Sequence, residues 1–299
     1  MSATTNHLEG RTVIVTGAAG GFGRLLVEKA AALGANVGAC DIDADALADL
    51  AGERIEIGTV DVTDLAAMRG FADRVVDRFG AIDVMINNAG VMPLAFYADH
   101  EAAAGAWDRC IDINIKGVLH GIIAVHDQMI GQGRGQVVNI SSVYGNAPVG
   151  GAAVYGATKA AVNVLSESLR QESLGKIKVT TVRPTGVPGT GLAGGIINVE
   201  AVNPVLGANK DQFYDKLAQV FSDDPPVRLT DEDSIELAAL APEQIADQVI
   251  HAINQPWGIS INAIAYALIA QGLNVHFGYT GLLNFGQAAF AAAGAYAIA

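Results

Sequence analysis

Charge is scarce in this chain. Only 16% of its 299 residues are Asp, Glu, Lys or Arg, and 18 basic residues stand against 31 acidic ones, a net charge of −13. Such a surface repels phosphate backbones, so nucleic acid is excluded as the expected partner. Cysteine is scarcer still. Cys40 and Cys110 stand apart, neither in a Cys-x-x-Cys pair. That excludes a disulfide framework and fits a reducing, cytoplasmic setting. Both read as buried structural thiols. His100, His120 and His126 are scattered without ligand spacing, so no metal site is expected. Met1 to Gly10 is short and polar, which argues against a secretory signal. What remains is a chain that is 51% hydrophobic and long enough for one α/β domain with a well-buried core.

The apolar residues fall in short runs separated by helical patterns. Val13-Ile14-Val15, Asn36 to Cys40, Ile55 to Val60, Ile82 to Ile86, Gln136 to Ile140 and Lys178 to Val182 read as strands. Phe22 to Leu33, Leu65 to Phe79, Ala102 to Ile130, Val154 to Leu174 and Pro242 to Ile253 read as helices, the first stopped by Gly34. Continuous apolar strands alternating with helices predict an α/β fold. It is a doubly wound, Rossmann-like parallel sheet covered on both faces, with ligands at the carboxyl ends of the strands. Residues 186–240 break this rhythm. They open on glycines and prolines and pass through a helix at Lys210 to Phe221, and they are expected to form a lid beside the site.

Three features carry chemistry. Thr16-Gly17-Ala18-Ala19-Gly20-Gly21-Phe22-Gly23 falls between a strand and a helix. Gly17, Gly21 and Gly23 permit a tight turn and close approach of backbone to a pyrophosphate, and the helix start favours negative charge. Asp41 ends the next strand, where a carboxylate accepts bonds from an adenosine ribose and repels a 2′-phosphate. Ala18, Ala19 and Ile42 supply no cation there, so NAD(H) is predicted over NADP(H). Tyr155 and Lys159 lie four apart, on one face of a helix, with Ser142 thirteen residues upstream. A nearby ammonium is expected to lower the phenol pKa from its ordinary value of about 10 and make Tyr155 an acid/base, while Ser142 holds the substrate oxygen.

These motifs, with Asp61-Val62, Asn87-Asn88-Ala89-Gly90 and Asn114, resemble the short-chain dehydrogenase/reductase family from about Arg11 to Ile261. The resemblance implies that Asp61 and Val62 meet the adenine and that Asn87, Asn88, Ala89 and Gly90 line the cofactor site, with Phe22 on the turn. It implies that Lys159 also holds the nicotinamide ribose and that Asn114 links Lys159 to solvent through a water. The family's Pro-Gly and later Thr are shifted here to Pro184-Thr185-Gly186-Val187-Pro188-Gly189-Thr190. Pro184 and Val187 then border the nicotinamide, and either Thr185 or Thr190 holds its amide, with Thr190 preferred. A homodimer or homotetramer packed through the helices at 102–130 and around Tyr155 is also implied.

Leu192, Ile196, Ile197, Val199, Val202, Val205, Leu206, Phe213, Tyr214 and Leu217 make the lid apolar, and no Arg or Lys stands out as an anion clamp. The expected substrate is therefore an uncharged, hydrophobic secondary alcohol or ketone of alicyclic, aromatic or steroid-like type. Ile259-Ser260-Ile261 reads as the start of a seventh strand, closing a dehydrogenase domain at 1–261. No Asp, Glu, Lys or Arg follows Asp247. Residues 262–299 form an apolar appendage, and the stretch from Tyr266 to Tyr296 resembles a fragment of a branched-chain amino-acid ABC transporter permease. A fusion remnant is the preferred reading, a tail covering a neighbouring subunit's site comes second, and membrane contact, weakened by the polar interruptions, comes last.

Overall fold

Val13, Ile14 and Val15 are fully buried, and β1 (Thr12–Thr16) presents alternate residues to two separate cores. Val13 and Val15 join the first core and Ile14 the second. This two-sided burial is why the strand reads as an unbroken apolar run. In the computed structural model, which describes residues 5–234, 236–238 and 240–265, β1 lies between two neighbouring strands inside a seven-stranded parallel sheet. The other strands are β2 (Asn36–Asp41), β3 (Ile55–Thr59), β4 (Val84–Asn87), β5 (Gly135–Ile140), β6 (Ile177–Arg183) and β7 (Ala263–Ala265). Their order is β3-β2-β1-β4-β5-β6-β7. The doubly wound α/β fold expected from the sequence is thus the fold observed.

Helix α1 (Gly21–Ala32) and α10 (Pro242–Ile253) cover the first face through Leu26, Val27, Ile245 and Val249. On the second face lie α3 (Leu65–Phe79), α5 (Val118–Gln132) and α6 (Ala153–Glu172), through Phe71, Val75, Val125, Met129 and Val162. Gly34 follows α1 with a φ of 81°, a conformation that ends the helix at no steric cost. A short helix that the periodicity did not reveal, α2 (Ala44–Ala48), follows β2; Asp43 caps it by accepting from the Ala46 N–H at 3.0 Å. The long helix expected at 102–130 is α4 (His100–Ile111) and α5 joined by a π-helical turn at Asp112–Gly117. Ile111, Leu119 and Val164 are exposed on α4, α5 and α6.

Between β6 and α10 runs the segment expected as a lid. It consists of 3₁₀ turns and the short helices α7 (Asn203–Leu206), α8 (Lys210–Val220) and α9 (Val227–Thr230). The seventh strand begins later than expected, at Ala263 rather than Ile259. The reason lies in β6: Lys178 Nζ takes the Ile259 carbonyl at 2.8 Å and Thr180 Oγ1 takes that of Ile261 at 2.6 Å. Backbone pairing starts only at Asn262, whose carbonyl accepts from the Thr181 N–H. Just before this, the Trp257 ring is flanked by three cations, with Arg11 4.3 Å, Lys178 5.2 Å and Arg134 5.3 Å from its centroid. Among the described residues no helix is long and apolar enough to cross a membrane. The permease-like stretch from Tyr266 onward lies outside the described residues.

A buried polar chain crosses the second core. Asn87 Nδ2 on β4 donates to Asn139 Oδ1 on β5 at 2.8 Å, and Asn139 Nδ2 donates to Ser166 Oγ on α6 at 2.8 Å. Asn87 was expected to line the cofactor site. It is instead turned into the interior, 2% exposed, and ties the sheet to the helix that carries Tyr155. Breaking such a chain strands its remaining members without water. Asn139→Ala is expected to lower stability by about 2–4 kcal/mol, read from the midpoint of urea unfolding; an unmoved midpoint would show the chain to be energetically idle.

Candidate active site

The turn after β1 is built for a close visitor. Gly17 has a φ of 66°, and a Cβ there would come within 2.8 Å of the Ala89 Cα. A Cβ on Gly23 would come within 1.9 Å of the Gly17 carbonyl oxygen. Gly23 therefore serves the packing of helix against turn and does not line the cleft itself. Gly21 has a φ of 51°, and a Cβ there would meet the Thr190 carbonyl at 2.6 Å. The N-terminus of α1 has no side-chain cap, and its first turn carries no acid. Its free N–H groups and the positive end of the helix dipole suit a phosphate. At the end of β2, Asp41 accepts from the Ala19 N–H at 3.0 Å and from the Asp43 N–H at 3.1 Å, so its carboxylate is fixed beside the turn. Asp61 holds its own loop by accepting from the Thr63 N–H and hydroxyl, each at 2.8 Å.

Opposite the turn, α6 lies against the end of β5. Lys159 Nζ donates to the Ile140 carbonyl at 2.8 Å, and the Lys159 carbonyl accepts from the Ser141 hydroxyl at 3.0 Å. Ser141 is thereby committed to structure, and Ser142 is the serine that faces Tyr155. Ser142 Oγ accepts from the Tyr144 N–H at 3.3 Å, which leaves its own proton to donate. The Lys159 ammonium lies 5.8 Å from the centre of the Tyr155 ring. Burial dominates the electrostatics. It pushes the Tyr155 phenol well above its ordinary value, with the Ser142 hydroxyl pulling weakly down and Tyr144 and Cys110 pushing up. The direction is opposite to the lowering expected from Lys159, because burial is the largest influence on the phenol. Burial also lowers Lys159, to about 8.

These elements enclose one cleft of about 710 Å³ at the carboxyl ends of the strands. Gly17, Gly21, Phe22, Asp41, Asp61, Val62, Asn88, Ala89, Gly90, Ser142, Tyr155, Lys159, Pro184, Val187 and Thr190 all line it. Of the expected apolar lid residues, Leu192, Ile196, Val202, Val205, Leu206, Phe213 and Leu217 line it too, whereas Ile197, Val199 and Tyr214 turn partly to solvent.

Asn114 is fully buried and absent from the wall. Its amide bonds Val91 N and O, each at 2.9 Å, and Thr158 Oγ1 at 3.1 Å. No side-chain bond joins it to Lys159, although both come close to Gly90, where a Cβ would lie 3.2 Å from Asn114 Oδ1 and 3.5 Å from Lys159 Nζ. Asn114 thus braces the loop after β4 against α6, helped by the widened π-helical turn. The two candidate threonines also separate. Thr190 Oγ1 donates to the Val187 carbonyl at 3.2 Å, while Thr185 Oγ1 is buried at the cleft without a partner. The sequence reading missed Arg109, which lines the cleft, is exposed, and has no ion-pair partner among the described residues. A helix residue on a mostly polar face gave no signal for it.

The model of the family described as short chain dehydrogenase matches residues 11–200. The chain belongs to the short-chain dehydrogenase family. It is 30% identical over 272 residues to an uncharacterised oxidoreductase of Staphylococcus saprophyticus, covering 90% of this chain and 100% of that protein. It is 31% identical over 270 residues to the NADP-dependent 3-hydroxy acid dehydrogenase of Salmonella typhimurium, covering 88% and 98%. Among solved structures it resembles serine dehydrogenase from Escherichia coli, with TM-score 0.66, 27% identity and coverage of 85% and 96%. It also resembles a short-chain dehydrogenase/reductase from Burkholderia phymatum in complex with NAD, with TM-score 0.67, 26% identity and coverage of 87% and 90%. The chain is therefore an oxidoreductase of this family. These relatives lend no support to the permease likeness of the tail.

The buried lysine of this short-chain dehydrogenase is directly measurable. In ¹³C-lysine-labelled protein, the Lys159 signal, assigned by its loss in Lys159→Met, is expected to titrate near pH 8 rather than above 10. A midpoint at the ordinary lysine value would refute the burial argument.

Proposed function

We propose that this oxidoreductase interconverts an uncharged, hydrophobic secondary alcohol and its ketone, with NAD(H) as cofactor. The observation that carries the reading is the buried corner of Ser142, Tyr155 and Lys159 opening into an apolar chamber that is continuous with the glycine turn. The turn fits a dinucleotide by its uncapped helix start and by glycines where any side chain would clash. When bound, the nicotinamide supplies or accepts the hydride. The protein manages the proton. A phenol held neutral by burial is a proton donor at physiological pH, which suits ketone reduction. Ser142 directs its free proton at the substrate oxygen and polarises it. Lys159 keeps a cation beside the phenol.

Asp41 supports NAD(H), since its fixed carboxylate stands where a 2′-phosphate would come. The relatives include an NADP-dependent enzyme and a complex with NAD, so the preference rests on Asp41 itself. Thr185, with its unpartnered hydroxyl, is a better holder of the nicotinamide amide than Thr190. Arg109 favours a second reading, in which the substrate bears an acid, as the name of the Salmonella relative indicates for that enzyme. Comparing kcat/KM for 3-hydroxybutyrate and cyclohexanol decides between them.

Three outcomes are expected. Tyr155→Phe should lower kcat for ketone reduction by about 10²- to 10⁴-fold while NADH still binds, measured by single-turnover absorbance and by fluorescence titration. Retained turnover would remove Tyr155 from the chemistry. In the same titrations NADH should bind at least about tenfold more tightly than NADPH, with Asp41→Ser closing the gap. Thr185→Val should weaken NADH by about fivefold and Thr190→Val should leave it nearly unchanged. Tighter NADPH binding by the native chain would reverse the cofactor assignment.

A further inference from the structure

One polar group in the chamber has no part in the chemistry above. Tyr144 lines the cleft two residues after Ser142. Its ring meets that of Tyr155 edge-on, with centroids 5.6 Å apart and planes at 69°. The backbone beneath it is fixed. Its N–H donates to Ser142 Oγ at 3.3 Å, and a Cβ on Gly156 would come within 3.0 Å of its carbonyl oxygen. The next residue, Gly145, is pressed against α6, where a Cβ would come within 2.7 Å of the Lys159 carbonyl carbon. The ring therefore keeps its place relative to the catalytic helix.

The Tyr144 hydroxyl has no hydrogen-bond partner among the described residues. Met92 and Val202 pack in the same cluster as the ring, Leu206 and Phe213 line the same cleft, and the Tyr214 phenol is close enough to act on it electrostatically. Burial pushes the phenol up to about 12, so it stays neutral and able to donate. A ligand that fills this chamber strips water from the hydroxyl, which costs free energy unless the ligand returns a hydrogen bond.

We infer that Tyr144 is a specificity residue whose hydroxyl binds a second, uncharged oxygen of the substrate, on a carbon next to or one removed from the reacting carbon. The favoured substrates are then hydroxyketones, diketones or keto esters rather than simple ketones. The edge-on contact with Tyr155 sets the two rings side by side at one cleft, so the second oxygen is placed near the reacting one. The inference rests on the reading of the site as a ketone reductase.

The test measures kcat/KM with NADH for 2-hydroxycyclohexanone against cyclohexanone, and for ethyl 3-oxobutanoate against 2-hexanone. The native enzyme and Tyr144→Phe are compared, with thermal melting confirming that the variant folds. Phenylalanine keeps the ring and the backbone contact to Ser142 and removes only the hydroxyl. The native enzyme is expected to favour the oxygenated member of each pair by about tenfold or more. Tyr144→Phe should collapse that ratio toward one. Equal turnover of both members by the native enzyme, or a ratio that survives Tyr144→Phe, overturns the inference alone. Turnover of none of the four ketones by native enzyme that binds NADH overturns the ketone-reductase reading, and the inference with it.

Discussion

An ammonium pressed against a strand-end carbonyl holds the two halves of this active site together. Lys159 Nζ bonds the last carbonyl of β5, and the Lys159 backbone carbonyl accepts from Ser141 just beyond it. This reciprocal clasp sets the height and rotation of α6 on the sheet. Tyr155, one turn earlier, and Ser142, one residue past the clasp, inherit their positions from it. The chain Asn87–Asn139–Ser166 repeats the attachment deeper in the core, so the catalytic helix is fastened at two depths by polar contacts that a slipped register would leave unpaired. Apolar packing alone tolerates small shifts, whereas these bonds do not.

The same burial that makes the clasp strong sets the protonation states. Water is kept from both members of the Tyr155–Lys159 pair, so each is driven toward its neutral form. This suits the proton-donating role proposed for the phenol. Acidity in this corner depends on what enters the cleft, since burial is the largest influence on both groups. Ser142 contributes direction, through a lone pair committed to the Tyr144 N–H.

Much of this was legible in the sequence wherever one physical cause governs one local pattern. Two-sided burial makes Val13-Ile14-Val15 a continuous apolar run, and a turn without room for side chains requires Gly17, Gly21 and Gly23. The helical period places Tyr155 above Lys159. Properties set by residues distant in sequence were not legible. Asn87 and Asn88 are adjacent and chemically alike, yet the strand's alternation sends one to Asn139 and leaves the other at the cleft. Thr185 and Thr190 differ only in which carbonyl lies near each hydroxyl. The last strand starts late because side chains of β6 capture the carbonyls ahead of it. The direction of the phenol's shift depends on how completely the fold excludes water, which no local pattern encodes.

The buried lysine also has a thermodynamic consequence. An exposed lysine has a pKa near 10.5, whereas Lys159 in the folded chain has one of about 8. Between those values the unfolded chain binds the proton more tightly, so stability rises with pH across that window. Below it both states are charged, and folding carries the whole desolvation cost at neutral pH. The residue proposed to make the corner reactive is therefore a standing weakness of the fold. Selection for heat resistance alone, blind to activity, would drift toward an apolar side chain at 159 and yield a more durable protein without the group proposed here to serve the chemistry.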